Sequence, residues 1–205
     1  MRILVACEES QRVTIELRKL GHEAFSCDIK ECSGGHPNWH IQGDVIQQLN
    51  KNWDMLIGFP PCTFLSSVQT HLCRNNTDRV LKRIEAAQFF MTLMNCNIPK
   101  IAIENPAGVM THIYRKADQV IQPYFFGDPE VKRTCLWLKN LPKLQHFKND
   151  DLFEKKTHVN KPDPLFTWKN KNGKTKNEYY TYCKNSTERS KTFPSIAMAM
   201  AEQWT

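Results

Sequence analysis

Three short apolar runs, each cut off by polar residues or proline, constrain this chain more than any other feature. Residues 2–6 stop at Cys7-Glu8-Glu9-Ser10-Gln11. Asp54 to Phe59 stops at Pro60-Pro61, and Lys100 to Ile103 stops at Glu104-Asn105-Pro106. Such runs suit strands buried on both faces of a parallel sheet. Helical spacing fills the gaps between them. Val13, Leu17 and Leu20 share one helical face, and Gly21 follows as a stop. After Asn76-Thr77-Asp78, the residues Val80, Ile84, Ala87, Met91 and Met94 repeat at helical spacing. Strands alternating with helices predict an α/β fold with a doubly wound, mostly parallel sheet and helices on both faces.

The other elements fit this plan. His22 to Cys27 reads as a second strand ending at Asp28. Residues 29–40 hold Gly34, Gly35 and Pro37 and read as loop. Ile41 to Val45 is a short strand or turn. Val120 to Phe126 and Thr134 to Leu138 read as later strands, and Ile196 to Trp204 as a closing helix. Residues 140–192 change character, being rich in Lys, Asn, Asp and Thr with scattered aromatics, and read as a small poorly regular insert or a flexible arm. The expected organisation is a main domain over 1–139, a small basic insert over 140–192 and a C-terminal helix over 193–205. A chain of 205 residues has room for one such domain and a small appendage.

Composition narrows the class of partner. With 40% hydrophobic residues the chain does not read as disordered. Its net charge of +7 favours anionic partners, nucleic acid or nucleotide. The cysteines, Cys7, Cys27, Cys32, Cys62, Cys73, Cys96, Cys135 and Cys183, are scattered through core-like elements. That spacing implies reduced thiols in a cytoplasm rather than a disulfide scaffold. No apolar run reaches the length of a bilayer span, and the first is too short for a signal peptide, so no membrane role is expected.

In doubly wound sheets, ligands sit beyond the carboxyl ends of the strands. Every polar cluster falls there: Glu8 to Gln11, Asp28, Asp44, Pro60 to Cys62, and Glu104 to Pro106. Cys62 sits on a corner made rigid by two prolines, and a helix N-terminus following it would favour the thiolate. Taken alone, a buried structural cysteine is an equally natural reading. Glu104 follows an apolar run and should be partly desolvated, which raises a carboxyl pKa and lets it hold a proton. Alone, it could as well cap a helix. Together the two form a nucleophile and a general acid. Pyrimidine chemistry needs that pair. A thiolate adds at carbon 6, a proton held at ring nitrogen 3 stabilises the resulting charge, and carbon 5 then attacks an electrophile.

The motifs resemble those of the DNA cytosine carbon-5 methyltransferase family, in shortened form. Gly58-Phe59-Pro60-Pro61-Cys62-Thr63-Phe64-Leu65-Ser66 resembles its nucleophile loop. Glu104-Asn105-Pro106 resembles the segment whose Glu contacts the cytosine edge. Gly43-Asp44-Val45 resembles the segment bordering the cofactor adenine, and Ser26-Cys27-Asp28-Ile29 the strand end whose acid holds the ribose. Tyr124 to Leu138 resembles the segment with the catalytic basic pair, and Phe193 to Ala201 the segment returning to the cofactor pocket. The resemblance implies a Rossmann-like methyltransferase that uses S-adenosylmethionine on DNA. It implies Cys62, Glu104, Arg133 and Lys132 as catalytic residues. Cys7, Glu9, Ser10, Asp28, Ile29, Asp44, Val45 and Pro60 would line the cofactor, and Pro61, Ser66, Asn105 and Pro106 the base.

Three departures bear on these expectations. The first loop, Cys7 to Gln11, has no glycine where the family's is glycine-rich, so cofactor contacts fall to side chains such as Ser10 and Glu9. The basic pair is Lys132-Arg133 rather than Arg-x-Arg. Only about fifty residues stand where the family has a large target-recognition domain. The insert carries Lys155, Lys156, Lys169, Lys171, Lys174, Lys176, Trp168, Tyr179, Tyr180 and Tyr182. Basic residues among aromatics suit single strands and phosphates, and equally a solvated charged loop. The expected substrate is therefore DNA read with low sequence selectivity, a single strand, or a free pyrimidine nucleotide, and a non-catalytic DNA-binding or decoy protein is the alternative outside enzymology. So compact an enzyme would suit a phage or mobile element. Cys27, Cys32, His36 and His40 have spacings that zinc could use. The competing role of Asp28 and the glycine loop between them weigh against this, and no metal is expected.

Overall fold

A computed structural model describes residues 1–150, 154–169, 172–179 and 190–205. Seven strands form one sheet: β1 (Arg2–Ala6), β2 (Glu23–Asp28), β3 (His40–Gln42), β4 (Met55–Gly58), β5 (Lys100–Pro106), β6 (Gln119–Ile121) and β7 (Thr134–Lys139). Their order is β3-β2-β1-β4-β5-β7-β6. The first five run parallel, and β7 is antiparallel to both β5 and β6. This is the expected doubly wound, mostly parallel, Rossmann-like arrangement.

Alternation along the strands divides the core in two. Ile3, Val5, Met55, Ile57, Ala102 and Leu136 face one side, where α1 (Arg12–Lys19) and α4 (Pro194–Trp204) bring Val13, Leu17, Ile196, Met200 and Trp204. Leu4, Leu56, Ile101, Ile103 and Trp137 face the other, where α2 (Thr77–Asn95) brings Phe90, Leu93 and Met94. The central strands β1, β4 and β5 are buried on both faces because each face has a helix over it. Strand order reverses between β1 and β4, which opens a crevice at their carboxyl ends.

Four local expectations are corrected. First, β5 continues through Glu104 and Asn105 to Pro106, because β7 pairs with it to the end, Asn105 opposite Cys135 and Pro106 opposite Thr134. The chain turns only at Ala107 to Val109. Second, the expected strand Val120–Phe126 is cut short. β6 ends at Ile121, and Pro123, with φ fixed and no N–H, opens a 3-10 turn over Pro123–Phe125. Third, only the second half of α2 faces the core. Val80, Leu81 and Ile84 are exposed, since that half of the helix lies over Phe64 of the loop after β4 rather than over the sheet. Fourth, the insert is not wholly irregular. It contains a ribbon, β8 (Phe166–Lys169) paired antiparallel with β9 (Thr175–Glu178), and the short helix α3 (Met110–Ile113) precedes it in the main body. Lys171, Tyr180, Tyr182 and Cys183 lie outside the described residues. Among the described residues, no helix is long and apolar enough to cross a membrane.

Residues 141–159 are tied back to the sheet. Leu144 is buried and exchanges two hydrogen bonds with the Gln119 amide, and the Trp204 indole donates to the Pro142 carbonyl. Beyond it, the His146 Nδ1 and His158 Nε2 atoms are 2.8 Å apart, and the Phe125 ring stacks on both imidazoles. Such a bond needs one ring nitrogen to donate and the other to accept. Burial lowers both pKa values below 6.5, helped for His146 by His158 and Lys148, and for His158 by Lys148 and Lys156. Tyr124 packs edge-on to His158.

A histidine with a lowered folded-state pKa adds stability that is full above its unfolded pKa and fades as pH falls below it. Hydrogen-exchange protection at Thr157, His158 and Val159 should therefore fall between about pH 7.5 and about pH 5, the ordinary histidine range. Constant protection factors over that range would show that the pair does not hold the arm.

Candidate active site

The two residues expected to carry chemistry leave adjacent strands. Cys62 lies four residues beyond β4, and Glu104 is within β5, whose Ile103 pairs with Gly58. A set of bonds between the two loops holds them in place. Asn105, fully buried, donates from Nδ2 to the Pro60 carbonyl (2.9 Å). The Leu65 carbonyl accepts from Val109 N–H (2.9 Å), and the Ala107 carbonyl accepts from Ser67 N–H and its hydroxyl. Ser66 forms a bridge with Gly108. A Cβ on Gly108 would stand 1.9 Å from the Leu65 carbonyl oxygen, so only glycine allows this approach. On the far side, Arg83 of α2 donates to the Phe64 carbonyl (2.8 Å), and Arg79 and Lys82 lie over the Phe64 ring.

Within this frame Pro60 is buried, Pro61 and Cys62 are exposed, and Glu104, Ser66 and Pro106 are half-buried. The Cys62 thiol is pushed above the ordinary 9.0. Loss of solvent around the sulfur is the largest cause and the Glu104 carboxylate the next, while Lys132 pulls the other way. This corrects the expectation of a thiolate favoured by a helix. The Leu65 and Ser66 N–H groups bond back to the Cys62 carbonyl in a turn, a 3-10 turn spans Ser67–Cys73, and α2 begins only at Thr77. Among the described residues, no α-helix starts in the turn that follows Cys62. Arg133 is exposed and bears on Cys135, which also feels Glu104. Lys132 is half-buried with its ammonium 5.9 Å from the centre of the Phe193 ring. Asp128 accepts from the Ser195 N–H and hydroxyl, which anchors the start of α4 beside the loop carrying Lys132. Cys62, Glu104 and Lys132 thus form one electrostatically coupled group.

A second group gathers at the ends of β1, β2 and β3. The Cys7 thiol is pushed up to about 12, by burial first and then by Asp28, Cys27 and Asp44. Both carboxylates therefore lie close enough to bear on the Cys7 sulfur. Asp28 is half-buried and accepts from Lys30 N–H, Ile29 is 75% exposed, and Asp44 is exposed and accepts from Ile46 N–H. Val45 is buried in the core. These residues fit the nucleoside half of S-adenosylmethionine: carboxylates for ribose hydroxyls and an amine, and an apolar side chain for a purine face.

The glycine-free first loop has a structural answer that the sequence did not reveal. Cys7 and Gln11 both take left-handed backbone, at φ 59° and 57°. Gln11 is fully buried. Its Nε2 donates to the His36 carbonyl (2.9 Å) and to Ser26 Oγ (3.2 Å), and its Oε1 accepts from His36 N–H (3.0 Å) and the Cys32 thiol (2.8 Å). These bonds hold a conformation that glycine adopts unaided. They also draw residues 32–36 onto the loop, where a Cβ on Gly34 would meet Ser10 and Gln11 at 2.6 Å. Ser10 and Glu9 are half-buried there, and the Glu9 carboxylate accepts from the Ser33 hydroxyl (2.6 Å). Glu8, also missed, is buried and accepts from Val13 N–H (2.7 Å), Thr14 N–H and the Thr14 hydroxyl at the start of α1. Burial lifts its carboxyl to about 7. No local pattern marks Gln11 or Glu8, because their partners are distant or arise only once the turn forms.

The zinc reading loses its ligands to other partners. His40 is held by Ser26 and the Lys30 carbonyl, Cys32 by Gln11, and His36 stacks on Trp39 at 4.0 Å. Among the described residues, no three metal-binding side chains come together.

No family model matches the chain, and no curated protein does. Among solved structures the chain is similar to a prophage-encoded protein of E. coli described as a DNA modification methyltransferase. The two share 15% identity with a TM-score of 0.43, over 66% of this chain and 45% of that one. This chain thus spans less than half the length of that protein. The chemistry of the site rests on its own residues.

Two outcomes check the frame. The rate of Cys62 alkylation by iodoacetamide should rise with a midpoint above pH 9.0. Glu104→Gln should lower that midpoint and Lys132→Met raise it, and a midpoint indifferent to both would separate these charges from the sulfur. Gly108→Ala should cost about 2–3 kcal/mol in denaturant unfolding, as forced overpacking does.

Proposed function

We propose that this protein methylates carbon 5 of cytosine in DNA, with Cys62 as covalent nucleophile and Glu104 as the group that holds a proton at ring nitrogen 3. The observation that supports this most directly is the electrostatic coupling of the Cys62 thiol to both Glu104 and Lys132, at the ends of neighbouring parallel strands.

That coupling supplies a mechanism. In the free protein the Glu104 carboxylate opposes ionisation of Cys62. A protonated Glu104, hydrogen-bonded to the base, carries no charge, and only Lys132 then acts on the sulfur, in the direction of the thiolate. Nucleophile and acid are thereby readied by the same event. The thiolate adds to carbon 6, and the displaced electron pair moves toward nitrogen 3, where Glu104 holds its proton. Carbon 5 becomes enamine-like. S-adenosylmethionine, when bound, supplies an electrophilic methyl group, with Asp28, Ile29 and Asp44 as the residues for its nucleoside half. Loss of the carbon-5 proton to solvent then breaks the sulfur–carbon bond and restores both ring and thiolate. Pro60 and Pro61 keep the nucleophile loop from relaxing, and Asn105 positions it through the Pro60 carbonyl.

A mechanism-based trap tests the reading. With S-adenosylmethionine present, 5-fluorocytosine in DNA should form a stable adduct with Cys62, because fluorine cannot leave as a proton does. Mass spectrometry should locate the adduct on the peptide containing Cys62. Cys62→Ala should abolish it, and Glu104→Gln should slow it by about 100-fold or more, as loss of a general acid does. An adduct formed only with the free nucleotide moves the substrate to the nucleotide pool. Absence of any adduct, with DNA binding intact, favours the non-catalytic alternative.

A further inference from the structure

A cavity of about 530 Å³ lies between the last turns of α1, the turn into β2 and the segment 36–39. Ile15, Arg18, Lys19, His22, His36 and Trp39 are among the residues that line it. Its volume falls within the range of small-ligand sites, roughly 300–1,000 Å³. His22 stands where the chain enters β2, at the amino end of that strand, whereas Cys62 lies beyond the carboxyl end of β4, which runs parallel to it. The cavity is therefore separate from the candidate active site. Its 36–39 wall is fixed through backbone atoms. The His36 N–H and carbonyl both bond to the Gln11 side chain, and the Trp39 carbonyl accepts from the Ser26 hydroxyl (3.3 Å). The His36 and Trp39 rings stack at 4.0 Å with 13° between their planes.

Charge and shape identify the ligand. The Arg18 guanidinium lies over the Phe25 ring (4.7 Å to its centre) and the Trp39 ring (5.1 Å), and its Nε donates to the Ala24 carbonyl (2.7 Å). Stacking uses the faces of a guanidinium and leaves its edge. Among the described residues, the two terminal amino groups on that edge have no acceptor. Such an edge matches the paired oxygens of a phosphate. Neighbouring charges do not cancel it. Glu16 pairs with Lys19 (2.7 Å) and Glu23 with Arg2 (3.5 Å), and no Asp or Glu lines the cavity. Beside the guanidinium, Ile15 and the stacked His36 and Trp39 rings offer flat and apolar surface, which suits a planar ring. One guanidinium edge and one set of rings provide for one phosphate and one base.

We propose that this cavity binds a free nucleotide, with its terminal phosphate on the edge of Arg18 and its base against His36 and Trp39. The proposal stands apart from the reading of Cys62 as a nucleophile. Guanosine monophosphate tests it, since guanine is neither the pyrimidine expected at Cys62 nor the adenine expected beside Asp28 and Asp44. Titrated into the full chain to about 1 mM, it should shift the ring-proton resonances of His22 and His36 saturably in NMR spectra. Guanosine, which lacks the phosphate, and inorganic phosphate, which lacks the base, should each bind about tenfold or more weakly, as loss of a charge-assisted bond or a stacked ring implies. Arg18→Gln should weaken the nucleotide by about tenfold or more, and Arg18→Lys should recover only part, because an ammonium has no planar fork. His36→Ala should weaken it by about threefold or more through lost stacking, while keeping the Gln11 bonds, which use the His36 backbone. Cys62→Ala should bind it as the parent chain does.

Histidine resonances that do not move at about 1 mM ligand would overturn the proposal. The parent chain carries that measurement even where a variant fails to fold. Equal binding of guanosine and its monophosphate would also overturn it, as would folded Arg18 variants that bind as the parent does. Binding lost in Cys62→Ala or Asp28→Asn, with His22 unmoved, would place the nucleotide in the crevice and remove it from this cavity. An oligodeoxyguanylate of about 12 nucleotides that displaces the mononucleotide at lower concentration would give the site to a strand. Failure of the adduct at Cys62 leaves all of these measurements readable, so the two readings fall separately.

Discussion

The joint between the loop after β4 and the end of β5 is the constraint on which the rest of the site depends. Asn105 donates to the Pro60 carbonyl, Val109 N–H to the Leu65 carbonyl, and Gly108 lets the two backbones touch. Neither loop alone would place a thiol near a carboxylate. Two prolines stiffen one loop, and antiparallel pairing with β7 extends the strand that carries the other. The joint brings two separately ordinary residues to neighbouring strand ends, where burial first and the Glu104 charge second push the Cys62 thiol up. A thiol whose ionisation is opposed in this way is held in its protonated form. That guards an exposed cysteine against adventitious alkylation and oxidation, since the thiolate is the reactive form.

A similar logic operates at the ends of β1 to β3. A glycine-rich turn usually lets backbone approach a ligand closely. Here Gln11 occupies a left-handed position, and four side-chain hydrogen bonds offset the strain. The consequence is a first loop buttressed by residues 32–36. Two carboxylates, Asp28 and Asp44, still converge on the crevice beside it. The crevice keeps acceptors for hydroxyl and amine groups, while its floor is made of side chains rather than bare backbone.

The insert shows how a short segment can be both attached and available. Leu144, Gln145, His146 and Thr157 fasten its first part to the sheet, to α4 and to the Pro123–Phe125 turn. The ribbon that follows makes its own two-stranded pairing and leaves two aromatic rings in solvent.

Much of the fold was legible in the residues. The buried runs at 2–6, 54–59 and 100–103 and the helical spacing of 77–95 specify parallel strands and a helix through local chemistry, because burial on both faces demands near-continuous apolar sequence. The punctuation by proline and polar clusters also placed Cys62 and Glu104 at the ligand-facing ends. What sequence could not supply were relations between distant residues. The extension of β5 through Pro106 depends on pairing with β7, roughly thirty residues later in the chain. The exposure of Val80 and Ile84 depends on what lies beneath α2, and the left-handed turn at Gln11 depends on partners at Ser26, Cys32 and His36. The direction of the Cys62 shift is likewise tertiary, since a thiol's ionisation is set by the charges and solvent around it and not by its neighbours in sequence. Sequence thus determined which candidate residues this protein carries and where along the sheet they sit. Only the packed structure decided how its charges are coupled and which of its apolar faces remain open.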